Sequence, residues 1–247
     1  FILLFSLVLE GMVTTQAVAG DYVHQVNTLI GTKGTGLTSG YLYPGATYPY
    51  GMVQFTPSYF SKRSGFVINQ LSGGGCEHMG NFPTFPVKGK LKMSPDNILN
   101  YRINVSEEKG HAGYYEAMVQ EDIKAKLTVT ERTGMASYEY PADQQYGTII
   151  IGGGISATPI EQAAIVITAP NKCEGYAEGG NFCGLRTPYK VYFVAEFDTD
   201  AFETGTWKRE ELMPNTTFAE GEYSGVYFTF DVNKKKNIQY KIGVSYV

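Results

Sequence analysis

Tryptophan, histidine, cysteine and helical periodicity are all scarce in this sequence. Its 247 residues hold one Trp, three His and three Cys. His24, His78 and His111 are scattered, with no paired-ligand spacing for zinc. Neither glycine-rich stretch runs into Lys-Ser or Lys-Thr, which excludes a phosphate loop. Gly34 and Gly36 lack both the spacing and the following helix of a dinucleotide fingerprint. Ser72 sits in Gln-Leu-Ser-Gly-Gly, outside any nucleophile elbow. Asp198-Thr-Asp200 begins like a calcium loop, but Phe202 and Glu203 stand where an oxygen ligand and the turn glycine belong. An excess of positive charge is also missing. Twenty Lys and Arg against 24 Asp and Glu leave a net charge of −4, so no nucleic-acid partner is expected.

What is present points to sheets. Hydrophobic residues at 43% and charged residues at 18% describe an ordinary globular chain, long enough for one large β domain. The 19 Tyr, 14 Phe and 29 Gly favour strands and turns. Ile123, Ala125, Leu127 and Val129 alternate with Lys124, Lys126, Thr128 and Thr130, the period of a strand with one buried face. Gly113 to Gln120 precedes that run and Met135 to Tyr140 follows it, which makes a three-strand meander. Tyr189 to Asp198 is a long β-branched and aromatic run. Val226, Phe228 and Phe230 alternate with polar neighbours. After the turn Asn233 to Asn237, Ile238, Tyr240, Ile242, Val244 and Tyr246 do the same. Thr148 to Ile151 and Ile165 to Thr168 read as shorter buried strands. Many short strands with no long helical segment imply an all-β fold, a large antiparallel β-sandwich.

The first residues read differently. Phe1 to Leu9 is an apolar run too short to cross a bilayer, and it leads to Ala17-Val18-Ala19 before Gly20. This is the apolar core and small-residue cleavage site of a signal peptide, residues 1–19, lacking its basic start. An exported protein is expected, periplasmic, at the cell surface or extracellular. No membrane span is expected after the signal is removed, because no later stretch approaches roughly 20 apolar residues. Residue 1 is Phe, and Val247 falls within a strand pattern, so a chain truncated at both ends is expected. Cys173 and Cys183 bracket a Gly-rich segment read as a flexible loop. Either they pair, leaving Cys76 over, or they remain partly buried thiols.

Chemistry concentrates in two glycine-rich stretches, Ile30 to Gly40 with Tyr43 to Met52, and Gly65 to Pro83. Glycine lets a ligand approach the backbone, and Gln70, Glu77, His78 and Asn81 add polar contacts of the kind sugars require. The plainer reading is tight turns between strands. No pair of carboxylates announces itself as acid and base.

These segments together resemble glycoside hydrolase family 92, the calcium-dependent α-mannosidases. The resemblance rests on Val26 to Thr32, Tyr43 to Gln54, Leu71 to Cys76, Gly113 to Tyr115, Ala125 to Gly134, Asn181 to Gly184, Tyr192 to Phe197 and Lys241 to Tyr246, in order and spacing. It covers about residues 26 to 247 and implies an amino-terminal β-sandwich of the galactose-mutarotase-like supersandwich type, here residues 20–247. The implied partner is a carboxy-terminal (α/α) helical domain, absent from this chain, which would carry the catalytic carboxylates and most ligands of the calcium cofactor. No catalytic residue and no metal ligand is therefore expected in this chain.

The substrates implied are α-mannose-containing glycans, cleaved with inversion. The sandwich loops would shape the sugar pocket through Gln70, Cys76, Glu77, His78 and Asn81, with Lys33 and Arg63 behind them. The family often carries His where Gln70 stands and Asp where Asn81 stands, so these positions keep hydrogen bonding and lose charge. A stand-alone secreted carbohydrate-binding module is the alternative.

Overall fold

A computed structural model describes residues 22–32, 42–58, 65–73, 79–98, 105–154 and 158–247. The signal peptide expected over 1–19 lies outside them. Seventeen strands appear among the described residues. In chain order they begin with β1 (Ala46–Thr47), β2 (Gln54–Pro57), β3 (Phe66–Gln70), β4 (Met79–Lys88), β5 (Val105–His111) and β6 (Tyr114–Val119). Next come β7 (Ile123–Val129), β8 (Thr133–Glu139), β9 (Tyr146–Gly152), β10 (Ile160–Ala169), β11 (Lys172–Gly179) and β12 (Tyr189–Phe197). The last are β13 (Glu203–Lys208), β14 (Glu211–Pro214), β15 (Phe218–Glu220), β16 (Ser224–Asp231) and β17 (Asn237–Ser245).

They form two antiparallel sheets. The eight-stranded sheet runs β1-β2-β3-β4-β9-β16-β13-β14, and the nine-stranded sheet runs β15-β10-β11-β12-β17-β8-β7-β6-β5. In the nine-stranded sheet the alternation seen in the sequence becomes a buried and a solvated face. Ile123, Ala125 and Leu127 of β7, Val191, Phe193 and Phe197 of β12, and Ile238, Tyr240 and Ile242 of β17 all point into the core. Phe197 is its hub, with ring centroids 4.7 Å from Phe228, 5.1 Å from Phe230 and 5.3 Å from Tyr240.

The central strands of the other sheet bury both faces. A second cluster of Phe85, Val87, Ile150, Trp207 and Tyr227 lies on its far side, capped by Leu91, Leu212 and Tyr223. This is why β9 reads as a continuous apolar run rather than an alternating one.

Two expectations need correction. The segment between Cys173 and Cys183 is not a flexible loop. Most of it is β11, paired on both sides with β10 and β12. A pairing of Cys173 with Cys183 is excluded as well. Cys173 faces the core opposite Ala195 as a free, fully buried thiol, and burial pushes its pKa far up. Cys183 is nevertheless disulfide-bonded. The chain's remaining cysteine, Cys76, lies outside the described residues. Ile165 to Thr168, read as a short strand, is part of the ten-residue β10.

Candidate functional site

At one end of the sandwich, where β3 leaves the eight-stranded sheet and β4 returns, strained backbone lies beside unmet polar groups. Asn69, Met79 and Phe82 are non-glycine residues with φ of 56°, 59° and 51°, and Gly80 joins them at 77°. Such left-handed geometry costs each non-glycine residue on the order of 1–2 kcal/mol and persists only where surroundings enforce it. The pairing of β3 with β4 slips between Phe66 and Ile68, so the ribbon is bulged as well as strained.

The side chain of Asn69 supplies part of the enforcement. Its Oδ1 accepts from the Gln54 amide at 2.7 Å, and its Nδ2 donates to the Met52 carbonyl at 2.8 Å and the Tyr246 hydroxyl at 2.7 Å. An amide here completes hydrogen bonds that the twisted strand cannot make for itself. Burial raises the pKa of Tyr246, so its hydroxyl stays protonated.

Two further amides lie beside this knot. Gln70 ends β3 and is 1% exposed, and neither Nε2 nor Oε1 has a partner. Asn81, near the start of β4, is fully buried. Its Oδ1 accepts from the Tyr189 hydroxyl at 2.9 Å, and its Nδ2 is unpartnered. Each orphaned group forfeits about 1–3 kcal/mol that water would otherwise supply. The other buried residues with polar side-chain groups among those described are Ser, Thr, Tyr and Trp207, so no Asp, Glu, Lys or Arg is among them. The described residues of the site can therefore donate and accept hydrogen bonds, and none of them presents a buried charge.

Of the residues read from the sequence as sugar contacts, Gln70 and Asn81 are thus brought together at one end of one ribbon. Both are sealed from solvent rather than displayed on an open loop. Lys33, Arg63, Cys76, Glu77 and His78 lie outside the described residues. Tyr189, Asn69 and Tyr246 went unread as polar participants, because each sits in or beside an ordinary strand pattern. No local sequence signal marks them.

Other features dismissed from the sequence prove structural. Asp198 pairs with Lys235 at 2.8 Å and accepts from the Gln239 amide, which ties two turns together. The His111 ring stacks on Tyr114 at 4.9 Å on the surface. Among the described residues no group of three or more His, Cys, Asp or Glu side chains could hold a cation, so none of them is assigned to calcium. The outer face of the nine-stranded sheet carries two shallow grooves. One of about 540 Å³ passes Met135, Val194 and Gly243, and the other, of about 470 Å³, passes Tyr176, Tyr192 and Phe218. Neither Gln70 nor Asn81 lines them.

The architecture defines a large two-sheet β-sandwich, antiparallel in every pairing. Its sequence matches the Glycosyl hydrolase family 92 N-terminal domain over residues 25–245, and the chain belongs to that family. Solved structures agree on the fold. The family 92 glycosyl hydrolase ccman5 superposes with a TM-score of 0.77 at 19% identity, over 91% of this chain and 32% of its own. A family 92 α-mannosidase from Bacteroides thetaiotaomicron gives 0.75 at 24% identity, over 91% of this chain and 33% of its own. An inverting mannosidase of family 92 from the same organism gives 0.73 at 22%, over 92% and 32%. A curated relative from Arthroderma benhamiae, described as an uncharacterized secreted glycosidase, is 30% identical over 159 residues, which is 55% of this chain and 20% of the relative. The chain thus spans about a third of the structures it matches and a fifth of that relative.

Proposed function

We propose that this chain is the sugar-facing amino-terminal domain of an exported exo-α-mannosidase, completing the pocket in which another domain performs inverting hydrolysis. Membership of family 92 carries the reading, supported by relatives whose own descriptions name mannosidases. Inversion requires a general acid on the leaving oxygen and a base activating water on the opposite face, two carboxyls about 6.5–9.5 Å apart. The described interior offers neutral amides and hydroxyls in place of such a pair. Acid, base and calcium are accordingly assigned to the helical domain implied by the family, and recognition of the glycan to both domains.

Gln70 and Asn81 are the recognition groups proposed within this chain. A hexose hydroxyl both donates and accepts, and it matches amides that still hold free donors and an acceptor. A bridging water can relay the same contact where the amides lie too deep for the sugar itself.

The test is mannose release from p-nitrophenyl α-mannoside and α-linked mannobiose by the intact protein as its gene encodes it. The first-formed anomer is read by proton NMR. The reading expects β-mannose to appear first, and expects residues 20–247 alone to release none. First appearance of α-mannose, or hydrolysis by residues 20–247 alone, would contradict it.

A further inference from the structure

We propose that Tyr189 is a positioning residue for the sugar site, fixing the buried Asn81 amide so that its Nδ2 is aimed at the water that relays its contact to the ligand. The proposal rests on the mannoside reading above and adds a residue from the opposite sheet. Tyr189 opens β12 of the nine-stranded sheet, and Asn81 belongs to β4 of the eight-stranded sheet. Their hydrogen bond, Tyr189 hydroxyl to Asn81 Oδ1 at 2.9 Å, joins residues 108 positions apart in sequence. Because the oxygen end of the amide is engaged, the nitrogen end is the one left without a partner. Gln70 sits near it with both ends free. A carboxamide turns freely about its last torsion unless something holds it, so the unpaired donor has a fixed direction only while Tyr189 holds the oxygen.

A purely structural reading is available, since the bond also ties the two sheets together. Two neighbouring contacts already serve that purpose. Tyr246 accepts from Asn69 at 2.7 Å, and the Phe82 and Phe193 rings meet at 4.2 Å. With those ties in place, the Tyr189 hydroxyl is not the sole link between the two sheets. What it alone supplies is the orientation of one buried amide with an unmet donor.

Tyr189→Phe removes only the hydroxyl, and the intact protein is assayed on p-nitrophenyl α-mannoside. Loss of one oriented hydrogen bond in binding should raise KM about fivefold and leave kcat within about twofold, while the buried Asn81 Oδ1 left unpaired should lower Tm by roughly a few degrees. Asn81→Ala should raise KM by a similar factor. The double variant should be no worse than Asn81→Ala alone, since the hydroxyl acts through that amide. Tyr140→Phe, which removes a buried hydroxyl bonded to the Thr148 carbonyl at 3.1 Å, should lower Tm and leave KM where it was. Additive effects in the double variant would overturn the proposal. So would an unmoved KM with a lowered Tm in Tyr189→Phe, or failure of that variant to fold. Absence of mannoside hydrolysis by the wild type would instead remove the mannoside reading on which the proposal stands.

Discussion

Strands β7 and β4 both line the core, and they are built on opposite plans. In β7, Ile123, Ala125, Leu127 and Val129 turn inward while Lys124, Lys126 and Thr128 turn outward, with no residue in left-handed backbone. In β4, every residue from Gly80 to Val87 is buried, three of the first four have positive φ, and one buried amide lacks a partner for its nitrogen. The meander around β7 spends its sequence on an apolar interior and a charged exterior. The ribbon of β3 and β4 holds strained backbone and unmet hydrogen bonds that weaken it. In this ribbon strained backbone and orphaned polar groups lie within a few residues of one another, a cost that persists only where the surrounding structure enforces it. Set against that cost, the rings packed around Phe197 form the largest aromatic layer among the described residues.

Substitutions in each region can break or sharpen this contrast. The largest effect is expected in the regular layer. Phe197→Ala removes the ring that meets Phe228, Phe230 and Tyr240 and should cost about 3–5 kcal/mol in urea unfolding. A loss below about 1.5 kcal/mol would mean that this layer can collapse around the cavity.

A smaller effect is expected at the strained ribbon. Asn69→Ala deletes three hydrogen bonds and places a β-carbon residue at positive φ, so it should cost about 2–3 kcal/mol. Asn69→Gly should recover part of that loss, because glycine restores the backbone freedom without the amide. Equal losses for the two variants would assign the whole effect to the hydrogen bonds and remove strain from the account.

The same contrast explains what could be read from sequence. The period of two identified β7 and β17 because each has one apolar and one polar face, and it identified β16 although both of its faces are buried. The strand β11 was hidden by its glycine. At Gly175 a β-carbon would lie 2.2 Å from the Ala164 carbonyl, so the residue marks the close approach of two strands and not a loop. Gly65 misleads similarly, since a β-carbon there would come within 2.9 Å of the Thr84 carbonyl. The choice between a Cys173–Cys183 bridge and free thiols stayed open because alternation within β11, which turns Cys173 into the core, cannot be read once β11 is taken for a loop.

At the site, the polar residues flanking a glycine-rich stretch were legible, and Gln70 and Asn81 emerge together from it. Their burial was not, because the cover over a side chain is a property of packing. Tyr189 was beyond reach as a partner for Asn81, since only the pairing of two sheets brings it near.

The central claim is that Gln70 is kept polar for a ligand at the expense of the fold. Gln70→Leu tests it most directly, because leucine fills a similar volume and removes both unmet groups. Urea unfolding of the intact variant should show a gain of about 1–2 kcal/mol, the smallest of these stability changes and the only one of favourable sign. Its KM for an α-mannoside should rise at the same time. A variant that is less stable than the wild type, or equally active at every substrate concentration, would contradict the account.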